Sequence, residues 1–138
     1  MGQQGKHLNS IKVSHEKHTA GCATEIMAIP ETVCISMSQH IGAPCKPLVK
    51  KGDQVKVGQL IGDTDAFVSA PIHSSVSGTV KEISTIRSVT GGDDQVVIIE
   101  TDGNQDVYEE IKPPVINDMK DFIAAVRASG LVGLGGAS

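Results

Sequence analysis

Residues 49–83, VKKGDQVKVGQLIGDTDAFVSAPIHSSVSGTVKEI, constrain the fold more than any other part of the chain. The stretch reads as two hairpin-like units. In the first, a β-branched run turns at Lys51-Gly52-Asp53 and leads to Gly58-Gln59-Leu60-Ile61-Gly62. In the second, Ser69-Ala70-Pro71 leads through a polar turn to Val76-Ser77-Gly78-Thr79-Val80. Gly, Asp and Pro recur too often for a helix, and each supplies a turn by a distinct route: positive φ, local hydrogen bonding or a fixed φ. What remains is a compact barrel of short strands.

Composition agrees. At 138 residues, one domain is expected, with room for a tail of the next, and such a chain buries roughly two thirds of its unfolded surface. There is no Trp, one Tyr (Tyr108) and two Phe (Phe67 and Phe122), so Val, Ile and Leu must fill the core. These residues suit pleated, half-buried surfaces, and 15 Gly with 6 Pro supply tight turns. The formal charge of −4 excludes nucleic acid as an expected partner, because its binders need a basic surface. Lys46, Lys50, Lys51, Lys56 and Lys81 read as solvated turn lysines, with docking of an acidic partner as the alternative. Cys22, Cys34 and Cys45 form no CxxC pair and no disulfide framework. They read as small core hydrophobes, Cys34 foremost because it falls in an expected strand. No signal peptide is visible, and no apolar run approaches the ~20 residues that span a bilayer. Gly2 invites the myristoylation motif, but Lys6 stands where Ser or Thr is needed.

Along the chain, residues 1–30 lack a clear period and read as an extended arm. Strands are expected at 33–37, 46–50, 54–56, 59–62, 66–70, 76–83, 86–89 and 95–101, the last two flanking the turn Gly91-Gly92-Asp93-Asp94. Val96-Val97-Ile98-Ile99 is apolar without alternation, as in a strand buried on both faces. The barrel is thus assigned to 31–102 and a linker with Pro113-Pro114 to 103–116. The segment 117–138 holds a helix and the start of a further domain. In that helix Met119, Phe122, Ile123 and Val126 share one face. Asn117 or Asp118 caps it, Arg127 lies in the last turn and Gly130 is placed as the C′ residue. The glycine-rich run from Leu131 to Ser138 reads as a loop that leads onward.

SQHIGAPCKPLVKKGDQVKVGQLIGD, then FVSAPIHSSVSGTVKEI and AAVRASGLVGLGGAS, closely resemble the N-terminal part of RnfC. RnfC is the C subunit of the Rnf complex, a membrane-associated, ion-translocating ferredoxin:NAD+ oxidoreductase. QHIGAP, SAPIHSSVSG and GLGGA in this order are specific; any one alone is weak. The resemblance implies a mainly β, barrel-sandwich hybrid fold, similar to biotinyl and lipoyl domains, with a C-terminal α-helix. It also implies a following domain similar to the flavin-binding subunit of respiratory complex I, and then a module with two [4Fe-4S] clusters. For the parent protein it implies FMN, NAD(H) and those clusters as cofactors. Its partners would be ferredoxin, NAD(H) and the other Rnf subunits, and its position peripheral, on the cytoplasmic side of the bacterial membrane. The present chain has no CxxCxxCxxxCP run to hold clusters and no SGAT-type flavin attachment motif. The A subunit of the sodium-pumping NADH:quinone reductase shares the domain plan and stays open as an alternative.

The candidate chemistry is sparse. A carrier domain of the biotinyl or lipoyl type needs a lysine at the tip of an exposed hairpin; here that segment is Asp63-Thr64-Asp65-Ala66-Phe67. His15 and His18 in HxxH spacing, with Cys22 four residues on, are weak candidate metal ligands, since a structural zinc site wants four defined ligands. His40 and His73 lie in Gly/Pro-containing turns and read as partners of turn backbone. Ser74, Ser75 and Ser77 read as turn residues, none in a GxSxG context. Gly133, Gly135 and Gly136 would approach flavin or nucleotide phosphate in the intact parent protein, where glycines let backbone N–H groups come close to an anion. Without the scaffold that follows, no measurable FMN or NADH binding is expected of this chain. The reading is a non-catalytic structural domain, and a small carrier or metal-binding module is the competing class. Open strand edges and the unmatched helix face make weak self-association an expectation.

Overall fold

The computed structural model describes residues 16–88 and 91–133. Seven strands and one helix occur among them: β1 Thr32–Ser36, β2 Lys46–Pro47, β3 Gln54–Val55, β4 Leu60–Asp63, β5 Ile72–His73, β6 Gly78–Arg87, β7 Asp93–Thr101 and α1 Met119–Ala128. They form two antiparallel sheets, one ordered β1-β7-β6-β3 and the other β2-β4-β5. The chain crosses between them at Met37, whose N–H donates to Gln95 O (2.9 Å) while its own carbonyl accepts from Cys45 N (2.8 Å).

The core lies between the sheets. Met37, Ile61, Val97 and Ile99 are fully buried there, and Val55 and Val80 nearly so. No aromatic ring takes part: Phe67 and Phe122 are exposed. Register explains how β6 keeps Val80 and Ile83 opposite apolar residues of β7. Val80 pairs with Ile99, but a bulge at Lys81 lets Glu82 pair with Ile98 and Ile83 with Val97. In a regular ladder Lys81 would instead oppose Ile98, and Glu82 would stand opposite Val97 and face the core, because side chains alternate with period two. In β7, Val96, Val97 and Ile99 are fully buried and Ile98 half-buried, close to the two-sided burial expected of this run.

Several strand expectations are corrected. Residues 66–70 form no strand; Ser69 Oγ donates to Ala66 O (2.6 Å) and braces a bend. Pairing resumes only at Ile72 and His73, after Pro71, which has no N–H to give a ladder. The separate strands expected at 76–83 and 86–89 are one ribbon, β6, whose turn is closed by Ser88 N donating to Gly92 O (2.8 Å). The strand at 46–50 shrinks to Lys46–Pro47, because Lys50 N is drawn to Asp53 Oδ2 (2.9 Å) in the following turn. Cys34 is exposed on β1, whereas Cys45 is buried; strand alternation gives the inward position to Ile35.

The segment after the barrel is fastened to it. Val57 and Val107 form a parallel bridge, Val57 N donates to Asp106 O and Tyr108 N to Val57 O, both at 2.9 Å. Lys56 pairs with Glu109. α1 matches its expected bounds: Asp118 caps it through Asp121 N (2.9 Å), and Gly130 follows the C-cap Ser129 at φ 69°.

Candidate functional site

The loop between β4 and β5 is where a carrier domain of this architecture would present its lysine. Here it is clamped. Arg127, in the last turn of α1, donates to Asp63 Oδ1 (2.8 Å), Asp63 Oδ2 (3.4 Å), Thr64 O (2.9 Å) and Ser69 Oγ (3.3 Å). A planar guanidinium suits such a cluster of acceptors, since its five donors are held in a fixed fork. Thr64 N in turn donates to Asp63 Oδ1 (2.8 Å). The Arg127 hydrogen bond holds the Asp63 carboxyl below the usual carboxylate range, and the same contact raises Arg127.

The helix end sits close against the barrel. A Cβ on Gly130 would come within 2.6 Å of Pro71 O and 3.1 Å of His73 Nδ1. Yet no residue of α1 is buried: Met119, Phe122, Ile123 and Val126 are all exposed. The helix is held by polar contacts while its apolar face is open. Phe67, at the loop tip, is fully exposed beside it.

Beneath the loop lies Cys45, whose Sγ is 3.1 Å from Ala70 O and 3.6 Å from His40 Nε2. His40 Nδ1 lies 2.9 Å from Ile41 O and must donate to it, because a carbonyl only accepts. Burial, then the Asp63 charge, pushes the Cys45 thiol up. A nucleophilic cysteine needs its thiolate, so Cys45 acts as packing. His40 thus bonds turn backbone, as expected. The serines also brace turns: Ser74 Oγ donates to Val76 O (2.7 Å), and the buried Ser77 donates to Asp102 Oδ1 (2.6 Å) while accepting from Asp106 N (3.0 Å).

Of the candidate metal ligands, His15 lies outside the described residues. His18 and Cys22 are exposed, and His18 Nε2 contacts Glu16 Oε2 at 2.8 Å. Among the described residues no group of three His, Cys, Asp or Glu is placed to hold a metal. Gly133 is exposed three residues past Gly130, and Gly135 and Gly136 lie outside the described residues. Sequence position predicts for Arg127 only a complement to the helix dipole. Its pairing with Asp63, 64 positions away, obeys no local spacing rule, although an Asp closing a strand at a turn is a legible signal.

Residues 6–104 match the family model of the RnfC barrel sandwich hybrid domain. The chain belongs to the RnfC family. It is 44% identical over 127 residues to the C subunit of the proton-translocating ferredoxin:NAD(+) oxidoreductase complex of Clostridium ljungdahlii, covering 89% of this chain and 28% of that protein. It is 47% identical over 112 residues to the C subunit of the Na(+)-translocating ferredoxin:NAD(+) oxidoreductase complex of Acetobacterium woodii, covering 79% and 25%. Against the C subunit of the ion-translocating oxidoreductase complex of Rhodobacter capsulatus the figures are 33% over 130 residues, 91% and 25%. This RnfC-family chain therefore spans about a quarter of the length of these three relatives. No helix among the described residues is long and apolar enough to cross a membrane.

Proposed function

We propose that the chain is a rigid, non-catalytic domain of an RnfC protein, in a complex that moves electrons between ferredoxin and NAD+ while translocating an ion. The observation that carries this reading is the Arg127 clamp. The loop that would swing a cofactor in a carrier is tied to α1 through four acceptor atoms and offers no lysine. A tethered arm needs a free, modifiable tip; this tip ends in Phe67.

The parent protein's FMN, NAD(H) and two [4Fe-4S] clusters, and its contacts with ferredoxin and other Rnf subunits, belong to this proposal. So does a peripheral position on the cytoplasmic side of the membrane. The relatives' names give protons in one case and sodium in another, and the coupling ion is assigned to neither here. In the intact parent protein Gly133, Gly135 and Gly136 would approach flavin or nucleotide phosphate through backbone N–H groups.

Intact mass tests the reading. Co-expressed with biotin or lipoate ligase and its substrate, the chain should keep its unmodified 14.4 kDa mass. A stoichiometric adduct would make it a carrier and overturn the proposal. In a fluorescence titration FMN and NADH should show no saturable binding; a micromolar dissociation constant would assign cofactor chemistry to the chain itself.

A further inference from the structure

Asp102-Gly103 is the one Asp-Gly pair in the chain, and no Asn-Gly pair occurs. An Asp-Gly bond is prone to spontaneous rearrangement, because no Cβ shields the glycine nitrogen from the neighbouring carboxyl. The Gly103 nitrogen attacks Cγ of the protonated Asp102 carboxyl and a C–N bond forms. The carboxyl hydroxyl leaves with the amide proton as water, closing a succinimide ring. Water then adds to either ring carbonyl and breaks its bond to nitrogen. Addition at the main-chain carbonyl yields isoaspartate, with the backbone rerouted through the β-carbon and no net change of mass. The turn itself sets up this hazard. Gly103 has a φ of 77°, a left-handed value that favours glycine, although a Cβ there would meet nothing within 4 Å. The Asp102 carboxyl serves the same turn as an acceptor.

We propose that the Ser77 hydroxyl guards the Asp102-Gly103 bond against conversion to isoaspartate, so that this turn becomes a modification site only when the Ser77 network is broken. Ser77 is buried, at 1% exposure, and each of its polar atoms bonds the segment that leaves β7. Its Oγ donates to Asp102 Oδ1 (2.6 Å) and accepts from Asp106 N (3.0 Å). Its carbonyl accepts from Asp102 N (3.1 Å), and its N–H donates to Gln105 Oε1 (3.2 Å). Asn104 N also donates to Asp102 Oδ1 (2.9 Å). An oxygen held from two sides lacks the freedom that ring closure needs. Forming a planar five-membered ring also rotates the backbone at Asp102, and the bonds of Asp102 N and Asp106 N to Ser77 hold that backbone on both sides. The same network, the Ser77 hydrogen bond foremost, holds the Asp102 carboxyl below the usual carboxylate range. It therefore stays ionised, and a carboxylate is a poor electrophile because it has no hydroxyl to lose. Rearrangement would add one backbone carbon between the end of β7 at Thr101 and the Val57–Val107 bridge, and so loosen the chain where it leaves the barrel.

The test ages the folded chain at neutral pH and counts isoaspartate by methyl transfer from S-adenosylmethionine with L-isoaspartyl methyltransferase. Electron-transfer fragmentation then locates it in the sequence. Ser77→Ala should form isoaspartate at position 102 about three- to tenfold faster than wild type, the net worth of one intramolecular hydrogen bond. Ser77→Cys, close to serine in shape but a weaker donor, should lie between the two. Ile61→Ala, which opens a cavity beside the other sheet, should keep the wild-type rate while folded. Wild type unfolded in urea has no network and should react faster than folded wild type by at least the Ser77→Ala factor, a comparison that needs no variant to fold. Equal rates in folded and unfolded wild type overturn the proposal. So does folded Ser77→Ala or Ser77→Cys reacting at the wild-type rate. An Ile61→Ala protein that reacts as fast as Ser77→Ala would assign the protection to global stability and overturn it too.

Discussion

Met37 and Ile61 are closed off from solvent on every side, one where the chain crosses between sheets and the other on β4. Truncating either removes buried methylene groups and leaves a cavity, so Met37→Ala and Ile61→Ala should each cost about 2–5 kcal/mol in denaturant unfolding. Cys34→Ser, at an exposed position, should stay within about 0.5 kcal/mol of wild type. The two cysteines also separate chemically. A thiol reagent should modify Cys34 in the native protein at the rate of a free thiol, and Cys45 only on unfolding. Composition already required an aliphatic core, and that much was legible. Which cysteine enters it was not: period-two alternation names two faces of a strand, and only the position of the opposing sheet decides which is inward.

Among the elements, α1 has no buried residue and is tied to the barrel through Arg127. Arg127→Ala removes four hydrogen-bond contacts at once, on a pair in which Arg127 is 42% and Asp63 29% exposed. Solvent screening keeps such a pair to about 1 kcal/mol, so α1 and the loop should loosen while the barrel's melting temperature moves by only a few degrees. The pH dependence has a definite sign. The folded pKa of Asp63 is lowered, so the clamp's contribution is complete above the ordinary carboxylate value of about 3.9. It is then lost as the pH falls through the lower folded value. Amide exchange of α1, corrected for intrinsic rates, should therefore be flat from neutral pH to about 5 and rise steeply in acid. Asp63→Asn should remove its share of the acid limb and leave the share of Asp121, whose carboxyl is also held low by its hydrogen bonds from Asn117. Gly130→Ala combines a left-handed φ of 69° with a clash on Pro71 O, and should release the helix end at a cost of about 1–2 kcal/mol. The helix was fully legible, because its caps and apolar face are local signals. Its attachment was not, because Asp63 and Arg127 are neighbours only through tertiary structure. The strand expected at 66–70 failed for a related reason: Phe67 and Val68 look like strand residues, but Ser69 and Pro71 turn the chain before a partner is reached.

Across the whole molecule, a barrel sandwich hybrid domain is joined to a helix whose last turn is tied to the β4–β5 loop. Sheet order and the bulge at Lys81 secure the core, the bridge at Val107 fastens the chain as it leaves the barrel, and Arg127 ties the hairpin tip. Family membership was readable from QHIGAP, SAPIHSSVSG and GLGGA, whereas the Arg127 clamp on which the rigid-domain proposal rests joins residues 64 positions apart. The most direct test is backbone ¹⁵N relaxation of residues 63–70 and 119–128 in wild type and Arg127→Ala. A clamped loop predicts order parameters near 0.85 in wild type, as in the barrel strands, falling below about 0.6 in the variant. A wild-type loop already below about 0.6, unchanged by Arg127→Ala, would show a free arm of the carrier kind and contradict the account.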